Sequence, residues 1–158
     1  MRSIEFHKFT SKDFEAYYRL VSDERVMAQI TERAIPKSEA EENYQKLLLR
    51  NQETRFGSFK VLVSQTDTFI GYAHLTPKED EAEIGYMFLP EYWNQGYGKA
   101  TMQKLLELGD SSEFSLLTAI IDPENVASRR LLTSNGFETD FLGLMDGLQT
   151  EILKKRIK

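Results

Sequence analysis

The feature that most constrains the fold is a change of hydrophobic period at Gly57. Before it, apolar residues recur at helical spacing, as at Phe14, Tyr17, Tyr18 and Val21, and again at Tyr44, Leu47 and Leu48. After it, the period is that of strands. "SFKVLVS" and "TFIGYAHLT" are joined by Gln65-Thr66-Asp67, a short hairpin, and "EAEIGYMFL" adds a third strand to the meander. Pro90 ends that strand, and "WNQGYGKA" carries the chain into a further apolar-periodic stretch.

The remaining elements complete this frame. "SIEFHKF" reads as a first strand, with Ile4 and Phe6 on one face. Thr10, with Asp13 behind it, is expected to cap a helix over 11–21, and a shorter helical piece follows over 23–30. Ser38 and Glu41 form a capping box for a helix over 39–50. Beyond the loop, 99–108 should form a helix that Gly109 stops. "SLLTAII" is a buried strand, and Asp122 with Pro123 opens a helix that ends at Asn135-Gly136. Two last strands meet at Asp146-Gly147, a type I′ hairpin signal. The order implies an α+β (mixed α/β) layer fold on one sheet. No repeat or linker interrupts it, so residues 1–158 are expected to form a single domain.

Composition narrows the partners. The net charge is −5 and no basic stripe is present, so nucleic acid is not an expected partner. The cluster Lys154-Lys155-Arg156 is short enough to be a solvated strand end. With no cysteine, the chain has no disulfide, thiolate metal site or cysteine nucleophile, which suits a reducing compartment. "MRSIEFHKFT" lacks the apolar core of a leader, and no run reaches the roughly 18 apolar residues that span a bilayer. A cytoplasmic location away from membranes is the expectation.

"WNQGYGKA" poses the chemical question. A strand enters it, a helix leaves it, and Gly96 and Gly98 allow close backbone approach. Unpaired N–H groups at a helix N-terminus, with the helix dipole behind them, suit an anion such as a pyrophosphate. The P-loop spacing is absent, and the dinucleotide fingerprint fails because Thr101 stands at its third glycine. From the loop alone, an ordinary turn and an anion cradle both stand.

The downstream residues bear on that choice. "DPENVASRRLLTSNGFE", with Asn125, Ser128 and Gly136-Phe137, resembles the second signature of the GNAT superfamily of acyl-CoA-dependent N-acetyltransferases. "AEIGYMFLPEYWNQGYGKA" is similar to the strand-and-loop signature of its RimJ/RimL-like branch, in which a tryptophan, here Trp93, commonly precedes the loop. The matching segments cover about 70–138. The resemblance implies a GNAT-like, mostly antiparallel sheet of about six to seven strands flanked by helices, splayed at the acyl-CoA site. It implies acetyl-CoA as co-substrate and no metal.

Residue roles follow from the resemblance and from chemistry. An amine attacks a thioester only when neutral, whereas aliphatic ammonium groups titrate near 10 and α-amines near 8, so a route for the proton is needed. Glu83, on the strand before the loop, resembles the catalytic glutamate of histone-type members. Glu81 shares its face. His74 titrates in the useful range, and His7 is a more remote candidate. Ser128 corresponds to a serine near the thiol in RimL-like members and is a candidate donor to the leaving sulfur. Many relatives carry a tyrosine where Leu132 stands, so the acid is open. The family implies pantetheine contacts at Met87, Phe88 and Leu89, pyrophosphate contacts at Gln95, Gly96, Tyr97, Gly98 and Lys99, and a hydrogen bond from Asn125 to the pantetheine or to a main-chain group. Arg129 or Arg130 would reach the 3′-phosphate.

The acceptor pocket would draw on Met27, Ile30 and Ile35, with Glu24 and Glu32 nearby to attract a cationic amine. The implied activity is transfer of acetyl from acetyl-CoA to a primary amine, a protein N-terminus or a small molecule, directly within a ternary complex. A catalytically weak acyl-CoA-binding or sensory domain, and a structural domain using the glycines only as a turn, are the alternatives. Monomer and homodimer are both compatible with the sequence.

Overall fold

The computed structural model describes residues 1–30 and 33–158. The elements run β1 (Ile4–Lys8), α1 (Phe14–Val21), α2 (Glu24–Met27), α3 (Lys37–Glu53), β2 (Gly57–Val63), β3 (Phe69–Lys78), β4 (Glu81–Phe88), a 3₁₀ turn (Pro90–Tyr92), α4 (Tyr97–Asp110), β5 (Leu116–Ile121), α5 (Val126–Ser134), β6 (Glu138–Met145) and β7 (Leu148–Arg156). They form one seven-stranded sheet in the order β1-β2-β3-β4-β5-β7-β6. Every pairing is antiparallel except β4 with β5. Among the described residues no helix is long and apolar enough to cross a membrane.

The helices cover both faces because the meander strands alternate. Ala73, Leu75, Ala82 and Ile84 point to one face, where Ala100, Met102 and Leu105 of α4 and Leu132 of α5 pack on them. Tyr72 and Met87 point to the other, toward Tyr17, Leu20, Tyr44 and Leu47 of α1 and α3. Phe9 lies edge-on to Tyr17 and Tyr44, and the Tyr44 hydroxyl donates to the Thr10 carbonyl.

Several element ends differ from the sequence expectation. α1 begins one turn late, at Phe14, because the Asp13 carboxylate accepts from the Thr10 N–H and hydroxyl, both at 2.9 Å, and closes a turn there first. α3 starts at Lys37 behind Pro36 with no side-chain cap, so Ser38 and Glu41 do not form the expected box. α4 runs through Gly109 to Asp110. A Cβ at Gly109 would lie 3.1 Å from Leu117 Cδ1, so the glycine serves close packing on β5 and does not stop the helix. α5 is capped by Asn125, whose side chain accepts from the Ser128 N–H. Asp122 accepts instead from the Glu124 N–H in a preceding turn. The final hairpin matches its signal, with φ of 52° at Asp146 and 80° at Gly147.

The feature that shapes the site is the short β4–β5 ladder. It runs from Glu81–Leu116 to Ile84–Ala119 and stops, although β4 continues to Phe88 and β5 to Ile121. On its other side β4 stays paired with β3 as far as Gly71–Phe88, so β4 leaves β5 without leaving the sheet. Gly71 makes that pairing possible: an added Cβ would sit 2.4 Å from the Met87 carbonyl oxygen. Gly71→Ala is therefore expected to cost about 2 kcal/mol of stability, through overpacking against main chain that cannot rotate away. Urea unfolding of the variant beside the parent would measure it, and an unchanged midpoint would refute the contact.

Candidate active site

The parting of β4 from β5 opens a cleft with two connected compartments. The larger, about 690 Å³, lies between α1, α3, the sheet and the β6–β7 hairpin. The smaller, about 300 Å³, runs past Trp93, Gly96 and Gly98 to the start of α4. Gln29, Ile30, Tyr86, Met87, Asn125 and Ser128 line both and form the junction.

The loop end is built for close approach. Gly96, at φ 91°, precedes α4, and the first intrahelical bond is Ala100 N–H to Gly96 C=O, at 3.2 Å. The N–H groups of Tyr97, Gly98 and Lys99 thus have no helical acceptor. A Cβ on Gly98 would fill the wall of the smaller compartment, 3.5 Å from Leu131 Cδ2. Bare N–H donors at the positive end of a 14-residue helix, beside a space that a side chain would obstruct, fit a phosphate-bearing ligand. Trp93 Nε1 donates to the Phe88 carbonyl at 2.8 Å and holds the loop across the strand end. Arg2 secures it from outside, donating to the Gln95 carbonyl at 2.9 Å and lying 5.1 Å from the Tyr97 ring centre.

Main-chain direction separates the expected Met87, Phe88 and Leu89 contacts. The Leu89 N–H donates to Ile70 on the β3 side, the Met87 carbonyl faces Gly71 on that side, and the Phe88 carbonyl is taken by Trp93. By strand alternation, the main-chain groups of Tyr86 and the N–H of Phe88 face the gap. Leu89 lines neither compartment, and neither do the side chains of Gln95 and Lys99. Asn125 spends its carbonyl oxygen on the helix cap, the main-chain alternative of the two roles expected for it. Arg129 is committed to Glu151, at 3.0 Å, a carboxylate only 1% exposed that also accepts from Thr139. Arg130 does not line the cleft either.

Two proton-handling groups meet on the α3 side of the larger compartment. Glu83 is partly buried, and burial raises its carboxyl above the ordinary range. His74 Nε2 lies 3.8 Å from it, and His74 Nδ1 pairs with the Thr76 hydroxyl at 2.9 Å. Burial, reinforced by the charge of Arg50, pulls the His74 pKa down to about 4, so the ring is neutral at pH 7. Gly85 makes room for it, since a Cβ there would sit 2.5 Å from Nε2. Glu81 is held by the Thr118 hydroxyl at 2.9 Å and by Lys154, outside the cleft. His7 pairs with Glu5 on the far edge of the sheet, also outside it.

At the junction, the Tyr86 hydroxyl donates to Ser128 Oγ across 3.4 Å. Burial raises the Tyr86 pKa and keeps the phenol protonated. Leu132, buried one turn beyond Ser128, fills the place where many relatives carry a tyrosine. Tyr86 was not singled out from the sequence. Its neighbour Met87 was, and alternation along β4 was the signal that the two side chains part to opposite faces. Met27, Ile30 and Ile35 line the larger compartment as expected, Glu24 does not, and Glu32 lies outside the described residues. Among the described residues no group of three or more His, Cys, Asp or Glu is gathered to hold a metal ion.

A profile of the acetyltransferase (GNAT) domain family matches residues 3–138. The uncharacterized N-acetyltransferase YnaD of Bacillus subtilis (strain 168) is 31% identical over 137 residues, 84% of this chain and 78% of that protein. Among solved structures, RimL, a ribosomal alpha-N-protein acetyltransferase in complex with coenzyme A, superposes with TM-score 0.82 at 15% identity, over 98% of this chain and 94% of that one. The spermidine N-acetyltransferase of Vibrio cholerae, in complex with CoA and spermine, gives 0.82 at 16% identity, over 98% and 95%. At such identities these two structures speak to the fold.

The depressed His74 pKa has a measurable sign. The unfolded chain takes up this proton near 6.5, whereas the folded ring resists it until about 4. Its contribution to stability is thus complete above pH 6.5 and drains as pH falls toward 4, by at most about 3 kcal/mol. Melting curves from pH 7 to 4 should show His74→Gln losing less stability than the parent. Parallel losses would refute a buried neutral ring.

Proposed function

The chain belongs to the GNAT family of acetyltransferases, and from that premise we propose that it transfers acetyl from acetyl-CoA directly to a primary amine within a ternary complex, as a RimJ/RimL-like member formed by residues 1–158 as one domain. The observation that carries this reading is the junction. Tyr86 and Ser128 line it from the α5 face of the sheet, Glu83 and His74 line the larger compartment beside it from the α3 face, and the gap beyond Ile84–Ala119 joins them.

Acetyl-CoA supplies the acyl group as an activated thioester. The N–H groups of Tyr97, Gly98 and Lys99 would hold its pyrophosphate, and the gap-facing main chain of Tyr86 and Phe88 its pantetheine amides. Glu83 accepts the amine's proton, because a carboxylate that burial raises above its ordinary range is a better base than an ordinary one. His74, a neutral ring, stands behind it with Nε2 at 3.8 Å. At the other end Ser128 Oγ presents a hydroxyl to the departing sulfur, and Tyr86 backs it with a phenol that stays protonated. This pair takes the acid role that Leu132 lacks. The amine needs no covalent enzyme intermediate, in keeping with a chain that has no cysteine.

A second reading, an acyl-CoA binder with weak or no catalysis, draws on Leu132 alone. Melting curves and thiol release separate the two. Acetyl-CoA at about 100 times its dissociation constant should add about 2.7 kcal/mol of stability, and Gly98→Asp should abolish that gain. Glu83→Gln should keep the gain and lower kcat about 100-fold, and Tyr86→Phe should do likewise. Full turnover in Glu83→Gln would remove the carboxylate from its role. A retained melting shift with no turnover for any amine would make the chain a binder.

A further inference from the structure

Within the acetyl-transfer reading, on which this step rests, we infer that the acceptor is an amine that carries its own carboxylate, held by Lys46 and Arg50 of α3. The two cations lie four residues apart, so they share one face of the helix, and both line the larger compartment. Neither has a hydrogen-bond or ion-pair partner among the described residues. By contrast Arg19, Arg25, Arg33, Arg55 and Arg129 each have a carboxylate within 4.0 Å. Partners are not scarce, since the chain holds 25 acidic residues against 20 basic ones. Two cations left unpaired on a cavity wall of an acidic protein mark the place of an anion that the described residues do not provide.

The opposite walls carry the other sign. Glu83 on β4, Asp122 after β5 and Asp146 in the hairpin face the same space. The compartment is thus two-signed, and Arg50 is near enough to Glu83's neighbour His74 to lower its pKa. An acceptor that is only an amine leaves Lys46 and Arg50 unanswered, and a polyamine brings further positive charge toward them. An acceptor with an amine toward Glu83 and a carboxylate toward the Arg50 guanidinium answers both walls, and guanidinium matches carboxylate geometry in two parallel hydrogen bonds. Tyr17, Val21, Met27 and Ile35 supply apolar surface for the body between. Of the acidic lure expected in the early segment, Glu24 is outside the compartment, and the charges that reach in from α3 are positive.

A free amino acid and a peptide with an acidic residue near its N-terminus share this chemistry, so the test uses a matched pair for each. With acetyl-CoA, γ-aminobutyrate is compared with butylamine, and the tetrapeptide amide Ser-Ala-Glu-Ala with Ser-Ala-Gln-Ala; spermidine is the cationic control. In at least one pair the acidic member should show roughly tenfold or greater kcat/KM, mostly through KM, and that pair identifies the source. Arg50→Gln and Lys46→Gln should shrink the acidic-to-neutral ratio, Arg50→Glu should invert it, and Arg50→Lys should restore part of it. Equal rates within both pairs, or spermidine as the best of the five, overturn the inference. So does turnover of none of them while acetyl-CoA still raises the melting point. No melting shift with acetyl-CoA would instead overturn the acetyl-transfer reading itself.

Discussion

The structure depends on a ladder that stops early. β4 and β5 pair over four residues each, from Glu81–Leu116 to Ile84–Ala119, and then separate while both strands continue. A complete sheet would be a wall, with the α3 face and the α5 face sealed from one another. The interruption lets groups on opposite faces meet, so a carboxylate and an imidazole from one layer share a cavity with two hydroxyls from the other. The main-chain groups left bare at the gap need partners. Trp93 answers one, by donating to Phe88, and the others remain as donors and acceptors for an extended ligand.

Gly85 shows how tightly the parting is coupled to the chemistry. It is the first β4 residue beyond the ladder, and its missing side chain is the space that the His74 ring occupies. The ring is thereby buried and loses basicity, while Glu83 two residues earlier gains it. Burial pushes both members of the pair toward their neutral forms, so the carboxylate becomes a better proton acceptor and the ring a poorer one than the isolated side chains.

Much of this was legible in the sequence because it is local. The period change at Gly57, the turn at Asp146-Gly147 and the apolar run of β5 each reflect neighbours within a few residues, and the elements formed where the pattern put them. The misplaced ends fell where two signals competed: Asp13 drew back to Thr10, and Asn125 took the cap expected of Asp122. Gly109 looked like a stop because nothing local reveals that Leu117 packs on it. The glycine loop, Glu83, His74 and Ser128 could be found from sequence. Arg2, which reaches the loop from 93 residues away, could not, nor could the unanswered charges of Lys46 and Arg50, since partnership is a property of the folded chain.

The buried Glu151 has a consequence for how sequences of this kind can diverge. Its carboxylate is shared by Arg129 on α5 and Thr139 on β6, so three elements meet on one charge that water scarcely reaches. Loss of Arg129 alone would strand that charge, whereas exchange of the whole set for apolar side chains of similar volume is tolerated far better. Change at these three positions is therefore non-additive. The helix that bears Ser128 and the strand behind the larger compartment are bound to one shared evolutionary path, in which each permitted step depends on the one before it.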